Sequence, residues 1–216
     1  MSKKYEIFLF DLDGTITDSA LGITNSVMYA LKKFGIGETD RTKLYKFIGP
    51  PLTESFEKFY GFTKEQSLDG VKYYREYYHD KGIYENRVYD GLEEVLKKIN
   101  EAGKQAIVAT SKPEEYAKII IDHFHLTQYF ACVAGMEMDG GRGTKAQVIT
   151  YALEKNDITD KSNVLMIGDR EHDVIGAHEN GLDCLGILYG FGSRKEFEEA
   201  GADYIRENVE DILKFV

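Results

Sequence analysis

Only two cysteines occur in the 216 residues, Cys132 and Cys184, and both sit in apolar, strand-like runs. A disulfide framework is excluded as the source of stability, and the pair read as buried thiols. No long hydrophobic run is present. After Lys3 and Lys4 the first apolar run stops at Asp11, too short for a signal peptide or a membrane span. No basic stripe stands out and the net charge is -10, which argues against nucleic acid as a partner. Internal repeats, low-complexity tracts and long linkers are absent too. With 43% hydrophobic and 30% charged residues, the chain is expected to be a cytoplasmic protein burying one good core and a smaller second one.

What is there begins with Phe8-Leu9-Phe10-Asp11-Leu12-Asp13-Gly14-Thr15. Two carboxylates stand two residues apart where an apolar run meets a Gly-Thr turn, and in an extended strand they point to the same side. Ile107-Val108-Ala109 runs into Thr110-Ser111-Lys112, Lys145 sits near the start of a helical stretch, and Val164–Ile167 runs into Gly168-Asp169-Arg170-Glu171-His172-Asp173. Short Val/Ile/Leu runs alternating with helical patterns argue for parallel strands buried on both faces. Sites in such sheets lie at the carboxyl ends of the strands, where Asp11, Asp13, Thr110 and Asp169 all fall. Residues remote in sequence are therefore expected to meet.

From residue 19 to 86 the pattern is helical throughout. Asp18 or Ser19 can cap a helix bearing Ile23, Val27, Leu31 and Phe34, stopped by Gly35. Leu44, Phe47 and Ile48 mark a second helix closed by Gly49-Pro50-Pro51, and a third carries Leu52, Phe56 and Phe59 to Gly61. Thr63 and Gln66 have capping-box spacing before a fourth with Val71, Tyr74 and Tyr78. Tyr73, Tyr74, Tyr77 and Tyr78 suggest an aromatic surface able to stack on a nucleobase. Strand and helix alternation then resumes: Asp90 is a cap candidate for a helix with Leu92, Val95, Leu96 and Ile99, and Pro113 opens the next. Tyr129 to Ala134, Cys184 to Leu188 and Tyr204-Ile205 look like strands, and Val209 to Phe215 like a helix. Asp139-Gly140-Gly141-Arg142-Gly143 reads as a loop delivering Lys145, with the wrong spacing for a Walker lysine.

The order Asp-Leu-Asp-Gly-Thr, Thr110, Lys145, then Gly168-Asp169 with Asp173 resembles the haloacid dehalogenase-like hydrolases, most closely the phosphatases near phosphoglycolate phosphatase and the 5'-nucleotidases. The resemblance covers essentially the whole chain. It implies an α/β, Rossmann-like parallel-sheet core over 1–18 and 87–216, with an inserted all-helical cap domain over 19–86. It further implies Mg²⁺, held by the side chains of Asp11 and Asp169 and the backbone carbonyl of Asp13, with Asp173 behind them orienting Lys145. Thr110 and Ser111, with Lys145, would bind the phosphate oxygens. Lys112, Gly49 and Pro50 are candidates for contact with the substrate's leaving group.

The chemistry asks for these residue types. Phosphate monoesters hydrolyse so slowly that enzymes supply accelerations of up to about 10²¹-fold. A covalent aspartyl phosphate divides the reaction into two steps, with Asp11 as nucleophile. Asp13 protonates the departing alkoxide and then takes a proton from water. Acids crowded this closely repel by roughly 4 kcal/mol per pair in an intermediate dielectric, which calls for a cation. The expected partner is a small phosphate ester, met by a monomer or weak homodimer. Phosphoglycolate and nucleoside 5'-monophosphates remain two open substrate classes. A phosphomutase and a phosphoaccepting signalling domain are the alternatives, whereas a dehalogenase has no need of Asp13.

Overall fold

The computed structural model describes residues 3–138 and 141–216. Asp139 and Gly140, part of the loop expected to deliver Lys145, lie outside the described residues. The chain divides into two compact units, one of residues 1–17 with 88–216, the other of 18–87.

The first unit opens with β1 (Ile7–Phe10), whose residues are apolar on both faces. The chain leaves this unit in β2 (Thr17–Asp18). The second unit follows with α1 (Ala20–Lys33), a 3₁₀ helix over Arg41–Phe47, α2 (Leu52–Tyr60), α3 (Lys64–Tyr77) and a π-helical turn over Tyr78–Gly82. α3 starts with the expected capping box, Thr63 and Gln66 each accepting from the other's backbone. Gly22 of α1 is required by close packing, because a Cβ there would lie 1.9 Å from the carbonyl oxygen of Gly82. The second helix is 3₁₀ rather than α, and Gly49 ends that region at φ 103°. The tyrosines of α3 form no open stacking surface. Tyr74 and Tyr78 are buried and stacked on each other, Tyr73 packs edge-on to Phe34, and Tyr77 leans on Tyr29 while donating to Glu85.

The chain returns through β3 (Arg87–Val88), which pairs with β2. The first unit then continues with α4 (Leu92–Glu101), β4 (Gln105–Pro113), α5 (Glu114–His123), β5 (Cys132–Met136), α6 (Lys145–Lys155), β6 (Val164–Gly168), α7 (Glu171–Glu179), β7 (Asp183–Ile187), α8 (Arg194–Ala200) and β8 (Tyr204–Arg206). The sheet has the order β5-β4-β1-β6-β7-β8, with its pairs parallel. Leu9, Ile107, Ala109 and Met166 share a core with Val148, Ile149 and Ala152 of α6, Val174 and Ala177 of α7, and Phe197 of α8. The alternate residues Phe8 and Phe10 are also fully buried, as a sheet covered on both faces requires. Each such side chain is worth about 1.5–3 kcal/mol of burial.

Some boundaries differ from the sequence reading. A 3₁₀ turn takes Thr127–Tyr129, and pairing of Cys132 with Ile107 starts β5 later. Gly91, at φ 82°, occupies the N-cap of α4 in place of Asp90. The last helical turn, Val209–Lys214, is also 3₁₀. Cys184 is buried, but Cys132 is only half-buried, and both thiols are free. No helix among the described residues is long and apolar enough to cross a membrane.

Candidate active site

β1 lies at the centre of the sheet, where the strand order reverses direction, so the loops at its carboxyl end open onto a switch point. Asp11 is the first residue past β1, and its amide donates to the Ile167 carbonyl of β6 at 2.9 Å. The chain then folds tightly, with the amides of Thr15, Ile16 and Thr17 all donating to the Leu12 carbonyl. Gly14 stands in this turn at φ 88°, and a Cβ there would meet Asp169 Oδ2 at 2.1 Å. Glycine is demanded twice at this position, by the backbone and by the neighbouring acid.

Asp169 follows β6 directly and is fully buried. Its Oδ2 accepts from the Phe191 amide at 2.8 Å, while Oδ1 is a buried oxygen without a hydrogen-bond partner. Gly190 and Gly192 flank that amide so closely that a Cβ on either would fall 2.3 Å from Asp169 Cβ or 2.0 Å from its carbonyl oxygen. These three residues escaped the sequence reading. Their signal was available in Gly190-Phe191-Gly192 soon after an apolar strand, at the same end of the sheet as the other motifs.

Lys145 opens α6, whose N-terminus carries a capping box of Thr144 and Gln147. The lysine is buried and its Nζ reaches three oxygens: Asp11 Oδ1 at 2.6 Å, Asp173 Oδ1 at 2.7 Å and the Ala109 carbonyl at 3.1 Å. Asp173 is also fixed by its other oxygen, which accepts from the Arg170 amide at 3.1 Å. Gly176 of α7 lets this happen, since a Cβ there would press on Lys145 Cγ at 2.8 Å.

Thr110 is buried near the end of β4, and Ser111 beside it is half-buried. The Thr110 hydroxyl bonds Asp11, and accepts from the Lys112 amide at 3.2 Å. Lys112 turns inward, its Nζ 2.7 Å from Asp13 Oδ2. Arg170 and Glu171 are tied to Glu196 of α8, and His172 is half-buried on α7. Gly49 and Pro50 lie in the second unit, between the 3₁₀ helix and α2.

Burial dominates the electrostatics. It raises the Asp11 carboxyl above the ordinary range, against the pull of the Lys145 ammonium and with a further push from Asp173. Burial, then Asp11 and Asp173, raise Asp169 well above its usual value. For Lys145 burial acts downward, but the two carboxylates outweigh it and its net shift is upward.

Carboxylate oxygens of Asp11, Asp169 and Asp173 lie within 4.8 Å of one another. Three acids share this space, with the Lys145 ammonium set between Asp11 and Asp173. An all-oxygen set with an orphaned buried Asp169 Oδ1 fits a hard divalent cation. Asp173 is engaged through both oxygens, with Lys145 and with the Arg170 amide, whereas Asp169 keeps Oδ1 without a hydrogen-bond partner.

Comparison with known proteins gives the family. The sequence model of the haloacid dehalogenase-like hydrolases matches residues 8–187. The chain is 45% identical over 193 residues to a 5'-nucleotidase of Pseudomonas aeruginosa, covering 89% of this chain and 87% of that protein. It is 35% identical to the tyrosine-protein kinase PtkA of Mycobacterium tuberculosis over 87% of this chain and 63% of the kinase. The crystal structure of a predicted phosphatase from Clostridium acetobutylicum superimposes with a TM-score of 0.94 at 48% identity, over 98% of both chains. An acid pair past the central strand, a buried lysine and a second acid motif thus sit in an α/β fold shared with these relatives, and the chain belongs to the haloacid dehalogenase-like hydrolase family.

Proposed function

We propose that this protein is a Mg²⁺-dependent phosphatase hydrolysing a small phosphate monoester, of the nucleoside 5'-monophosphate class, through an aspartyl phosphate on Asp11. The observation that carries the reading is Asp11 itself, buried past the central strand, with an ammonium on one oxygen inside a three-carboxylate cluster. The substrate class rests on the likeness to the nucleotidase.

In the first half-reaction the Asp11 carboxylate attacks phosphorus, the ester P–O bond breaks, and Asp13 gives its proton to the departing oxygen. In the second, Asp13 takes a proton from the water that attacks the aspartyl phosphate, releasing inorganic phosphate and restoring Asp11. Lys145 holds Asp11 in place and adds positive charge beside the transferring group. Thr110 and Ser111 bind phosphate oxygens. The side chains of Asp11 and Asp169 and the carbonyl of Asp13 would hold Mg²⁺, which would supply the positive charge that lets an anionic phosphate approach a carboxylate.

The test is phosphate release from a panel of nucleoside 5'-monophosphates, 2-phosphoglycolate and sugar phosphates, with Mg²⁺ and with chelator. Multiple turnovers on the nucleotides, lost on chelation, are expected. Preference for 2-phosphoglycolate would move the substrate class, and stoichiometric labelling without turnover would leave a phosphoaccepting switch instead of an enzyme.

A further inference from the structure

We infer that Lys112 is a positioning residue for Asp13: it grips Oδ2, so that Oδ1 is the oxygen that passes the proton to the leaving group. The inference rests on the phosphatase reading above and names what orients the acid within it.

The pair is well enclosed. Lys112 Nζ lies 2.7 Å from Asp13 Oδ2, with the two side chains only 6% and 11% exposed. The usual fate of a lysine is a solvated surface, and an ammonium withdrawn this far from water is costly unless it is paired. Asp13 Oδ1, by contrast, is buried without a hydrogen-bond partner. One oxygen is anchored and the other is left for chemistry.

The backbone is built to deliver this lysine. Pairing of β4 with β5 advances from Thr110–Gly135 to Pro113–Met136, so three steps along β4 are matched by one along β5. A bulge of this kind re-aims the side chains it carries. Gly135 makes room for it, because a Cβ there would lie 2.6 Å from the Lys112 carbonyl oxygen and 2.7 Å from Glu114 Cα. The Lys112 amide is pinned to the Thr110 hydroxyl, which itself bonds Asp11. A single segment therefore serves both acids, Thr110 touching the first and Lys112 the second.

When Asp13 carries its proton, the hydrogen is on Oδ1 while Oδ2 accepts from the ammonium. As the ester P–O bond breaks, that proton moves to the departing oxygen, and the carboxylate left behind regains one from the attacking water. A carboxyl free to rotate would spend much of its time with the wrong oxygen forward. A lysine that instead touched the substrate would act on binding of every ester alike.

The two roles separate in kcat/KM, which reports the steps up to release of the alcohol, measured on the full chain with Mg²⁺. Lys112→Met should lose about 10- to 100-fold on a nucleoside 5'-monophosphate, part of what a general acid supplies, and less than about threefold on p-nitrophenyl phosphate, whose leaving group needs no proton. In an Asp13→Asn background the same substitution should cause no further loss. Lys112→Arg should recover part of the activity on the nucleotide. Equal losses on both esters, or full additivity with Asp13→Asn, would overturn the inference. Lys112→Gln, read by the same ratio, serves if the Met variant does not fold. Should Asp13→Asn itself fail to discriminate between the esters, the acid role of Asp13 falls and the inference with it; discrimination by Asp13→Asn without any by the Lys112 variants removes only the inference.

Discussion

Lys145 Nζ stands 2.6 Å from Asp11 Oδ1, joining the first residue of α6 to the first residue past β1 across 134 positions of sequence. The same ammonium touches Asp173, so one cation holds two buried acids apart from their mutual repulsion.

Lys145→Met should therefore be costly twice over. Removing one partner from a buried ionic cluster leaves uncompensated charge and typically costs about 3–5 kcal/mol. Urea denaturation of the metal-free variant is expected to show a loss of that order, together with collapse of turnover. Wild-type stability in chelator would mean that Asp11 and Asp173 do not depend on this lysine.

Asp11→Asn keeps the shape of the nucleophile and removes its attack. The variant is expected to fold, as judged by circular dichroism, yet to show no turnover and no acid-stable trapping of labelled phosphate. Retained label would identify a different nucleophile.

Acidity and metal should be linked through Asp169. Burial and its neighbours raise this acid, so the folded protein holds a proton that the unfolded chain, with an ordinary value near about 3.9, releases earlier. Where the folded state binds more protons, unfolding free energy falls as pH rises. In chelator, Tm is expected to fall as pH rises above about 4, the ordinary value of the unfolded carboxyl, and Mg²⁺ to flatten that slope by replacing the proton. Asp169→Asn should lessen the slope without metal; an identical slope in that variant would place the titration elsewhere.

Gly14 and Gly35 offer a matched pair. Both have positive φ, 88° and 74°, but only at Gly14 would a Cβ collide with Asp169, while nothing lies within 4 Å at Gly35. Each change to alanine should lose about 1–3 kcal/mol from backbone strain. Weakened Mg²⁺ binding, read by calorimetry, is expected for Gly14→Ala alone. Equal binding in both variants would detach Gly14 from the acid site.

Much of this was readable in one dimension, and the reasons are local. The continuous apolar runs at Phe8–Phe10, Ile107–Ala109 and Val164–Ile167 announced strands buried on both faces, and each ended at the residue types the site uses. Thr63 with Gln66 foretold the start of α3 because the capping box is formed within four residues. Less legible were features set by partners. β5 begins where Cys132 finds Ile107, and the segment with Leu44 and Phe47 winds as 3₁₀ rather than α. The α3 tyrosines looked like a stacking surface only until the helix faces they occupy were filled by Phe34, Tyr29 and one another.

By itself the order of residues determined that acids would stand at the ends of buried parallel strands, since alternation of side chains and the length of apolar runs depend on neighbours along the chain. The pairing of Lys145 with Asp173 was expected from the resemblance, but the contacts of Lys145 with Asp11 and of Lys112 with Asp13 were decided only in three dimensions. Lys145 reaches Asp11 and Asp173 because α6 and α7 close on a glycine, and Lys112 reaches Asp13 because a bulge turns it inward. The clamp of Gly190, Phe191 and Gly192 on Asp169 is of the same kind. These pairings depend on distances between strands and helices far apart in sequence, and no local preference of the backbone encodes them.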